Sequence, residues 1–336
     1  MYFEEQMRVE CESNVGMKQF SEHLDEKRKQ IFSSIFPADF KEKYDEFTDI
    51  KELESGEYAV KFKGVNFKFL MQKKKSDNLY VFLNGAAGLD GRQKGNYQRW
   101  SWGNLVDASI LNILDPMYYE YENLPIGWYW GKCDVDYRQL MAELIVTIAN
   151  MLEVPYSHIT LYGSSAGGTA SIYTAHYIPG CTAVALNPQI RPWKHEWHEN
   201  FKNIVGIDTE KDDKFHRNDI EWHIKNSPNC KFVIVVNCRS RRDYNWQIVP
   251  LAQKLDFKIE YGLSQHENLF TWIFDTGSVS KHSALEYSTI FIAIDNVIGK
   301  IKKNIAIGQV KNDVCLINEF WREHWESLQA IEDVKK

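Results

Sequence analysis

The stretch Leu161-Tyr162-Gly163-Ser164-Ser165-Ala166-Gly167-Gly168 constrains this chain more than any other. It fits G-x-S-x-G with Ser165 at its centre, between a short apolar run, His158 to Tyr162, that reads as a buried strand, and Thr169 to Tyr177, which reads as a helix. A strand that turns at once into a helix brings backbones close together, and Gly163, Ala166, Gly167 and Gly168 supply the small residues such a turn needs. In that context the motif reads as a nucleophile elbow. A glycine-rich turn that only packs a helix on a sheet is the alternative the residues leave open.

Around this point the chain patterns as an α/β fold, a mostly parallel sheet flanked by helices. Glu57–Phe62 and Asn66–Met71 alternate about Gly64 like an antiparallel hairpin. Leu79–Leu83, Ser109–Leu114, Cys181–Leu186 and Lys231–Val236 are almost continuously apolar, the pattern of strands covered on both faces. Leu140, Met141, Leu144, Ile145, Ile148, Met151 and Leu152 recur at helical spacing and predict a crossover helix from Asp134. Helices are also expected over 246 to 255 and from Ala284 to about Ile298, with a last strand at Phe257–Tyr261. Residues 1 to 56 are polar and charged, with short amphipathic runs broken by Pro37, and read as a helical extension. The main domain spans 57 to 300. Residues 191 to 228, rich in Trp, His, Lys, Glu and Asp without strand signal, read as a helical cap inserted in it, and 301 to 336 as a helical tail carrying Trp321 and Trp325.

Composition excludes several classes. A formal charge of -6 over 336 residues is the wrong sign for a phosphate-tracking surface, so no nucleic acid is expected as partner. No stretch approaches the ~18 apolar residues of a membrane span, and the amino terminus has neither the basic start nor the apolar run of a signal peptide, so a cytoplasmic protein is expected. The six cysteines lack C-x-x-C spacing and are read as reduced thiols. His195 and His198 stand three apart, but nothing completes a metal set; with His216 and His223 they are read as surface histidines, and no metal site is expected.

A serine hydroxyl needs a base, and the base needs a carboxylate that fixes its tautomer. On this fold the order is serine, acid, histidine, with the acid after a late strand and the histidine before the last helix. Asp243 and His282 fit those places. His266 competes for the base, and Asp208, Asp212 and Asp213 for the acid. The small-residue loop Asn84–Gly88 follows a central strand, so backbone N–H groups of Gly85 or Ala86, with that of Ala166, are candidates for an oxyanion hole. Arg99 and Trp100, in an aromatic stretch, and Trp128 and Tyr129, in Gly127–Gly131, are candidate substrate-binding residues and pocket wall.

The segments Leu83-Asn84-Gly85-Ala86, Gln98–Trp102, Gly127–Gly131, Tyr162–Gly168 and Asn187-Pro188-Gln189 together resemble the α/β-hydrolase-like proteins of bacterial surface-glycan biosynthesis. These are the capsule O-acetyltransferases, the capsular biosynthesis proteins of the XcbB and CpsF type, and the acetyltransferase component of accessory secretion systems. The resemblance covers roughly residues 57 to 300. It implies a serine acyl-enzyme acting on a carbohydrate, with transfer of an acetyl group from acetyl-coenzyme A, the acyl donor, to a hydroxyl of a capsular or other surface polysaccharide. Arg99, Arg239, Arg241 and Arg242 are then candidates for coenzyme phosphates or an anionic glycan. No bound cofactor is expected; the partners are the glycan acceptor and acetyl-coenzyme A, with a homo-oligomer or a capsule biosynthesis complex allowed. An esterase or deacetylase would use the same residues, and a non-catalytic scaffold is the alternative outside enzyme chemistry. The sequence departs from the pattern at Arg239-Ser240-Arg241-Arg242, just before the acid, and in the long spacer between Tyr261 and His282.

Overall fold

The computed structural model describes residues 42–43, 46–86, 97–276, 282 and 287–333, with side chains as far as Glu323. The expected helical runs before residue 42 lie outside the described residues, as do Gly88 and the side chain of Trp325.

One sheet organises the described chain. Its strands are β1 (Glu42–Lys43), β2 (Gly56–Phe62), β3 (Val65–Gln72), β4 (Leu79–Leu83), β5 (Ser109–Ile113), β8 (Ile159–Ser164), β9 (Thr182–Leu186), β10 (Lys231–Asn237), β11 (Gly262–His266) and β12 (Leu269–Phe274); β6 (Gly131–Lys132) and β7 (Val135–Asp136) form a separate small pair. The spatial order is β1-β2-β3-β5-β4-β8-β9-β10-β12-β11. From β5 through β12 every neighbour is parallel, whereas β3 runs against both β2 and β5, and β11 runs against β12. This is the α/β-hydrolase arrangement, and the expected hairpin about Gly64 is its β2–β3 edge.

The central strands are buried on both faces because alternate residues feed two cores. Val81, Leu83, Leu161, Ala183, Ala185, Ile234 and Val236 face one. Tyr80, Phe82, Tyr162, Val184, Leu186, Val233 and Val235 face the other. After the short α1 (Met117–Glu120), the first core is closed by α2 (Tyr137–Met151) and α3 (Ser165–Ala175). Asp136 caps α2, its carboxylate accepting the Arg138 N–H at 2.9 Å. Between β9 and β10, residues 191 to 228 contain α4 (His198–Val205), α5 (Ile220–Lys225) and two 3-10 turns. A π-helical turn, Tyr244–Ile248, leads into α6 (Val249–Leu255), and the second core is closed by α7 (Ser288–Lys302) and α8 (Ile307–Asp333). Trp321 of α8 stacks on Trp272 of β12 with centroids 5.6 Å apart. Among the described residues no helix is long and apolar enough to cross a membrane.

The main correction falls after α6. Phe257–Tyr261 is not a strand: Phe257 and Ile259 turn inward onto the core while Lys258 and Glu260 stay exposed, so the alternation reflects one packed face without a strand partner. The strand that extends the parallel sheet is Leu269–Phe274, six buried residues beside β10, and Gly262–His266 folds back along its outer edge. Residues 42 to 56 are also not purely helical, since Glu42–Lys43 pairs with β2.

Candidate active site

Ser165 sits where β8 becomes α3, with φ = 54°. A serine in the left-handed region is strained, and such strain persists where the surroundings over-determine it. Here they do so by close approach. A Cβ on Gly163 would lie 2.3 Å from the Gly167 carbonyl carbon, and one on Gly167 would lie 2.3 Å from the Leu83 carbonyl oxygen. The elbow is therefore clamped between its own helix and the end of β4, and the serine side chain is left bordering a cavity.

That cavity, about 630 Å³, is bounded by four segments that each follow a strand end: Ala86 after β4, Gln189 and Lys194–Trp197 after β9, Arg239–Asp243 with Trp246 and Gln247 after β10, and His282 beyond β12. The carboxyl ends of parallel strands are where ligands bind on open α/β sheets. Asp243 is 3% exposed, and its two oxygens each lie 2.8 Å from Nδ1 of His282. The same carboxylate accepts the Ser240 hydroxyl at 2.5 Å. The His282 main chain is held as well: Asn187 Nδ2 donates to its carbonyl at 2.6 Å, and Asn187 Oδ1 accepts the Asn237 N–H at 3.0 Å. With Nδ1 facing a carboxylate, the ring keeps its proton there and leaves Nε2 to act as a base. Ser165 and His282 share the cavity wall, and among the described residues no hydrogen bond yet joins them.

The competing residues lie elsewhere. His266 pairs with Leu269, which pairs with Phe232 at the start of β10, so it stands at the opposite end of the sheet from Ser165. The five residue steps from Phe232 to Asn237 put about 17 Å between those ends; at the far end the His266 ring stacks on Phe257. Asp208 accepts Lys202 Nζ at 2.9 Å, Asp212 pairs with Arg217 at 2.9 Å, and neither these nor Asp213 borders the cavity.

Of the two loop amides expected at the oxyanion, one is occupied. Gly85 N–H donates to Gln98 Oε1 at 2.9 Å, and Gly85 does not border the cavity, whereas Ala86 does. Ala166 lies in the first turn of α3, where backbone N–H groups have no intrahelical acceptor. Ala86 and Ala166 are thus the two candidate donors.

The four expected substrate-binding residues are placed behind the site rather than in it. Arg99 is buried under the elbow, with Nη2 donating to Ser164 Oγ at 2.5 Å and its guanidinium over the rings of Trp102 and Tyr162. Trp100 packs on Leu70, Tyr97 and Leu114. Trp128 is fully buried and donates Nε1–H to Gln189 Oε1 at 2.5 Å. Tyr129 is equally buried; its hydroxyl donates to the Ile113 carbonyl and accepts the Asn84 N–H, both at 2.8 Å. These side chains hold Gln189 and the Asn84–Ala86 loop in position. Aromatic bulk bounded by glycines suits a pocket wall, but a ring whose polar tip reaches a partner in the interior, the Gln189 side chain for Trp128 and backbone for Tyr129, is buried as readily as Phe.

The histidines of 191–228 also depart from expectation. His198 and His223 are buried, and His216 alone is a surface residue, stacked on Trp222. His195 borders the cavity and accepts the Trp197 N–H on Nδ1 at 3.2 Å, so its proton sits on Nε2. Burial holds this imidazole below the usual histidine range, with Glu196 pulling the other way. Gln189, Lys194, His195, Glu196, Ser240 and Trp246 border the cavity without having been expected there, although Gln189 and Ser240 each directly follow a strand end. Among the described residues no cluster of His, Cys, Asp and Glu could hold a metal ion.

No protein-family model matches the chain, and no curated protein matches it in sequence. Solved structures similar to it include the Gap123 glycosylation-associated protein complex of Streptococcus agalactiae, at 14% identity and TM-score 0.48 over 68% of this chain and 44% of that one. The chain thus spans less than half of that neighbour's length. The S-formylglutathione hydrolase of Staphylococcus aureus matches at 11% identity and TM-score 0.47, covering 71% of this chain and 97% of that one. The capsule O-acetyltransferase of Neisseria meningitidis serogroup A matches at 14% identity and TM-score 0.45, covering 72% and 96%. With so little sequence in common, what this chain does is decided by its own cavity.

Proposed function

We propose that the chain is a serine acyltransferase that moves an acetyl group from acetyl-coenzyme A to a hydroxyl of a capsular or other surface polysaccharide. The observation that carries the serine chemistry is the Asp243 carboxylate, 2.8 Å from His282 Nδ1 in the same cavity as the left-handed Ser165. Ser165 Oγ attacks the thioester carbonyl while His282 Nε2 takes its proton; the carbon–sulfur bond breaks and His282 returns the proton to the departing thiolate. Ala166 and Ala86 N–H groups hold the oxyanion in each tetrahedral intermediate. His282 then deprotonates the sugar hydroxyl, whose oxygen attacks the acetyl-Ser165 carbonyl, and the proton goes back to Ser165 Oγ as the ester leaves. Asp243 stays ionised throughout and stabilises the imidazolium.

Two features of the wall support a charged donor. Arg241 borders this cavity and not the chamber beside it, and it forms no ion pair among the described residues, which suits a phosphate group at the cavity mouth. Residues 191 to 228 begin as that wall and so limit access to it. Hydrolysis needs only that water replace the sugar, and the His282 side chain is 42% exposed, so water reaches it. The deciding experiment incubates the protein with acetyl-coenzyme A, with and without polysaccharides, and follows thiol release, acetyl on the glycan and acetyl on the Ser165 peptide. Glycan-dependent thiol release that disappears in Ser165→Ala is expected. Release independent of glycan makes the protein a hydrolase, and release untouched by Ser165→Ala, or none with any acyl ester, rules out the serine mechanism.

A further inference from the structure

A second chamber of about 650 Å³ adjoins the first and shares with it Lys194, His195, Glu196, Arg242 and Trp246. Both volumes fall within the range of small-ligand sites. Two walls are its own: Arg191 with Trp193 on one side, Asn245 and Pro250 on the other. Its lining sets three cations, Arg191, Lys194 and Arg242, against one carboxylate, Glu196, in a chain whose net charge is -6. Arg242 is matched by Glu196 at 3.0 Å, while Arg191 and Lys194 form no ion pair among the described residues. The chamber also presents indole surface to water, with Trp246 47% exposed.

We propose that this chamber binds an anionic sugar unit of the glycan, its carboxylate or phosphate on Arg191 and Lys194 and its apolar face against Trp193 and Trp246. The assignment rests on the glycan reading above only for naming a sugar. Unpaired cations beside partly exposed indoles, one of them with the Arg242 guanidinium 6.0 Å from its ring, fit a ligand that is charged at one edge and apolar on a flat face, which describes an acidic pyranose. The Glu196–Arg242 pair crosses the boundary between the chambers and is well exposed on both sides, so parting it costs little, ~1 kcal/mol at most. A polymer can therefore run from this chamber past His195 to the hydroxyl that faces Ser165. The backbone supports the registration: Arg191 N–H donates to Gln247 Oε1 at 2.6 Å, and Gln247 borders the first cavity.

The test is calorimetric titration of the full chain with oligosaccharides bearing uronic or sialic acids, with the same oligosaccharides after carboxyl reduction, and with coenzyme A as competitor. Acidic forms should bind about tenfold tighter than reduced ones at low salt. Arg191→Gln should abolish that difference, and Trp193→Ala should weaken both forms. Hydrolysis of a small acetyl ester should stay within about twofold in both variants, which shows that they are folded. Equal binding of acidic and reduced forms, an Arg191→Gln that changes nothing, or displacement of the oligosaccharide by coenzyme A each overturns the proposal. Ser165→Ala should bind the oligosaccharide unchanged; in the parent protein, binding without acetyl transfer defeats the enzymatic reading alone, and transfer without acidic preference defeats the chamber alone.

Discussion

Replacing Asp243 by asparagine tests the arrangement most sharply, because it changes hydrogen-bond polarity without changing shape. The carboxylate is 3% exposed, accepts from Ser240 at 2.5 Å and faces His282 Nδ1 at 2.8 Å. Asparagine that keeps its oxygen on the Ser240 hydroxyl, which donates to the carboxylate in the parent, turns its NH2 to the imidazole. Nδ1 must then accept, the proton moves to Nε2, and the ring can no longer take the proton of Ser165. Loss of the base by this tautomer change costs about 10⁴-fold in kcat, or ~5.5 kcal/mol of barrier at 1.36 kcal/mol per decade. The assay is initial-rate hydrolysis of a chromogenic acetyl ester beside thiol release from acetyl-coenzyme A, with a thermal melt to show that the fold persists. Ser240→Ala removes one charge-assisted bond and should cost about tenfold, in keeping with ~1.5 kcal/mol for such a bond. An Asp243→Asn variant that melts like the parent and retains more than a tenth of its rate would show that Asp243 does not set the histidine tautomer.

Three further outcomes are expected. His282→Ala should lose as much activity as Ser165→Ala, on the order of 10³-fold or more, because members of one unit do not act additively, while His266→Ala should leave the ester assay within about twofold; the reverse ranking would move the base to His266. Gly167→Ala places a methyl 2.3 Å from the Leu83 carbonyl oxygen, so it should cost ~1–3 kcal/mol in denaturant unfolding and displace the Asn84–Ala86 loop; an unchanged midpoint would mean that the elbow is not clamped. Burial pushes His223 down to about 2, with Arg138 adding to the effect. The group is neutral when folded and protonates on unfolding, so its stabilisation is complete above the unfolded histidine value of about 6.5 and drains away as the pH falls, by up to ~1.4 kcal/mol per unit. Melts of the parent and of His223→Gln between pH 7 and 5 should converge toward acid, and parallel curves would show that His223 does not carry the acid sensitivity.

The parallel sheet was legible because β4, β9 and β10 are short, almost continuously apolar and rich in β-branched and aromatic residues, the pattern of strands covered by helices on both faces. Chain order alone placed Asp243 and His282 after late strands, and the structure brings their side chains to 2.8 Å in the cavity that Ser165 borders. β12 was not: Leu269–Phe274 carries the same signal, but the alternation at Phe257–Tyr261 occupied the place of a last strand before it. The acceptor side of the site was also hidden. Trp128 and Tyr129 resemble pocket aromatics by composition, and only their hydrogen bonds to Gln189 and Asn84 show that they face inward. Burial of an aromatic depends on whether its polar tip finds a partner, and the partners here lie far along the chain, in the loops that follow β9 and β4.

The same geometry explains why support and chemistry are divided between the two sides of the elbow. Ser165 is held at φ = 54° by contacts that leave no room for a methyl at Gly163 or Gly167. Arg99 occupies the space beneath and is bonded to Ser164. The described wall of the cavity is formed largely by the segments that follow β9 and β10, and those segments carry Lys194, His195, Arg239, Arg241 and Arg242. Arg239 is neutralised by Asp275 and Arg242 by Glu196, which leaves Arg241 and Lys194 as the cations of this wall without an ion pair among the described residues. The charged stretch Arg239–Arg242 just before Asp243 is thus part of the cavity's rim, which accounts for its polar character in a segment that follows a buried strand.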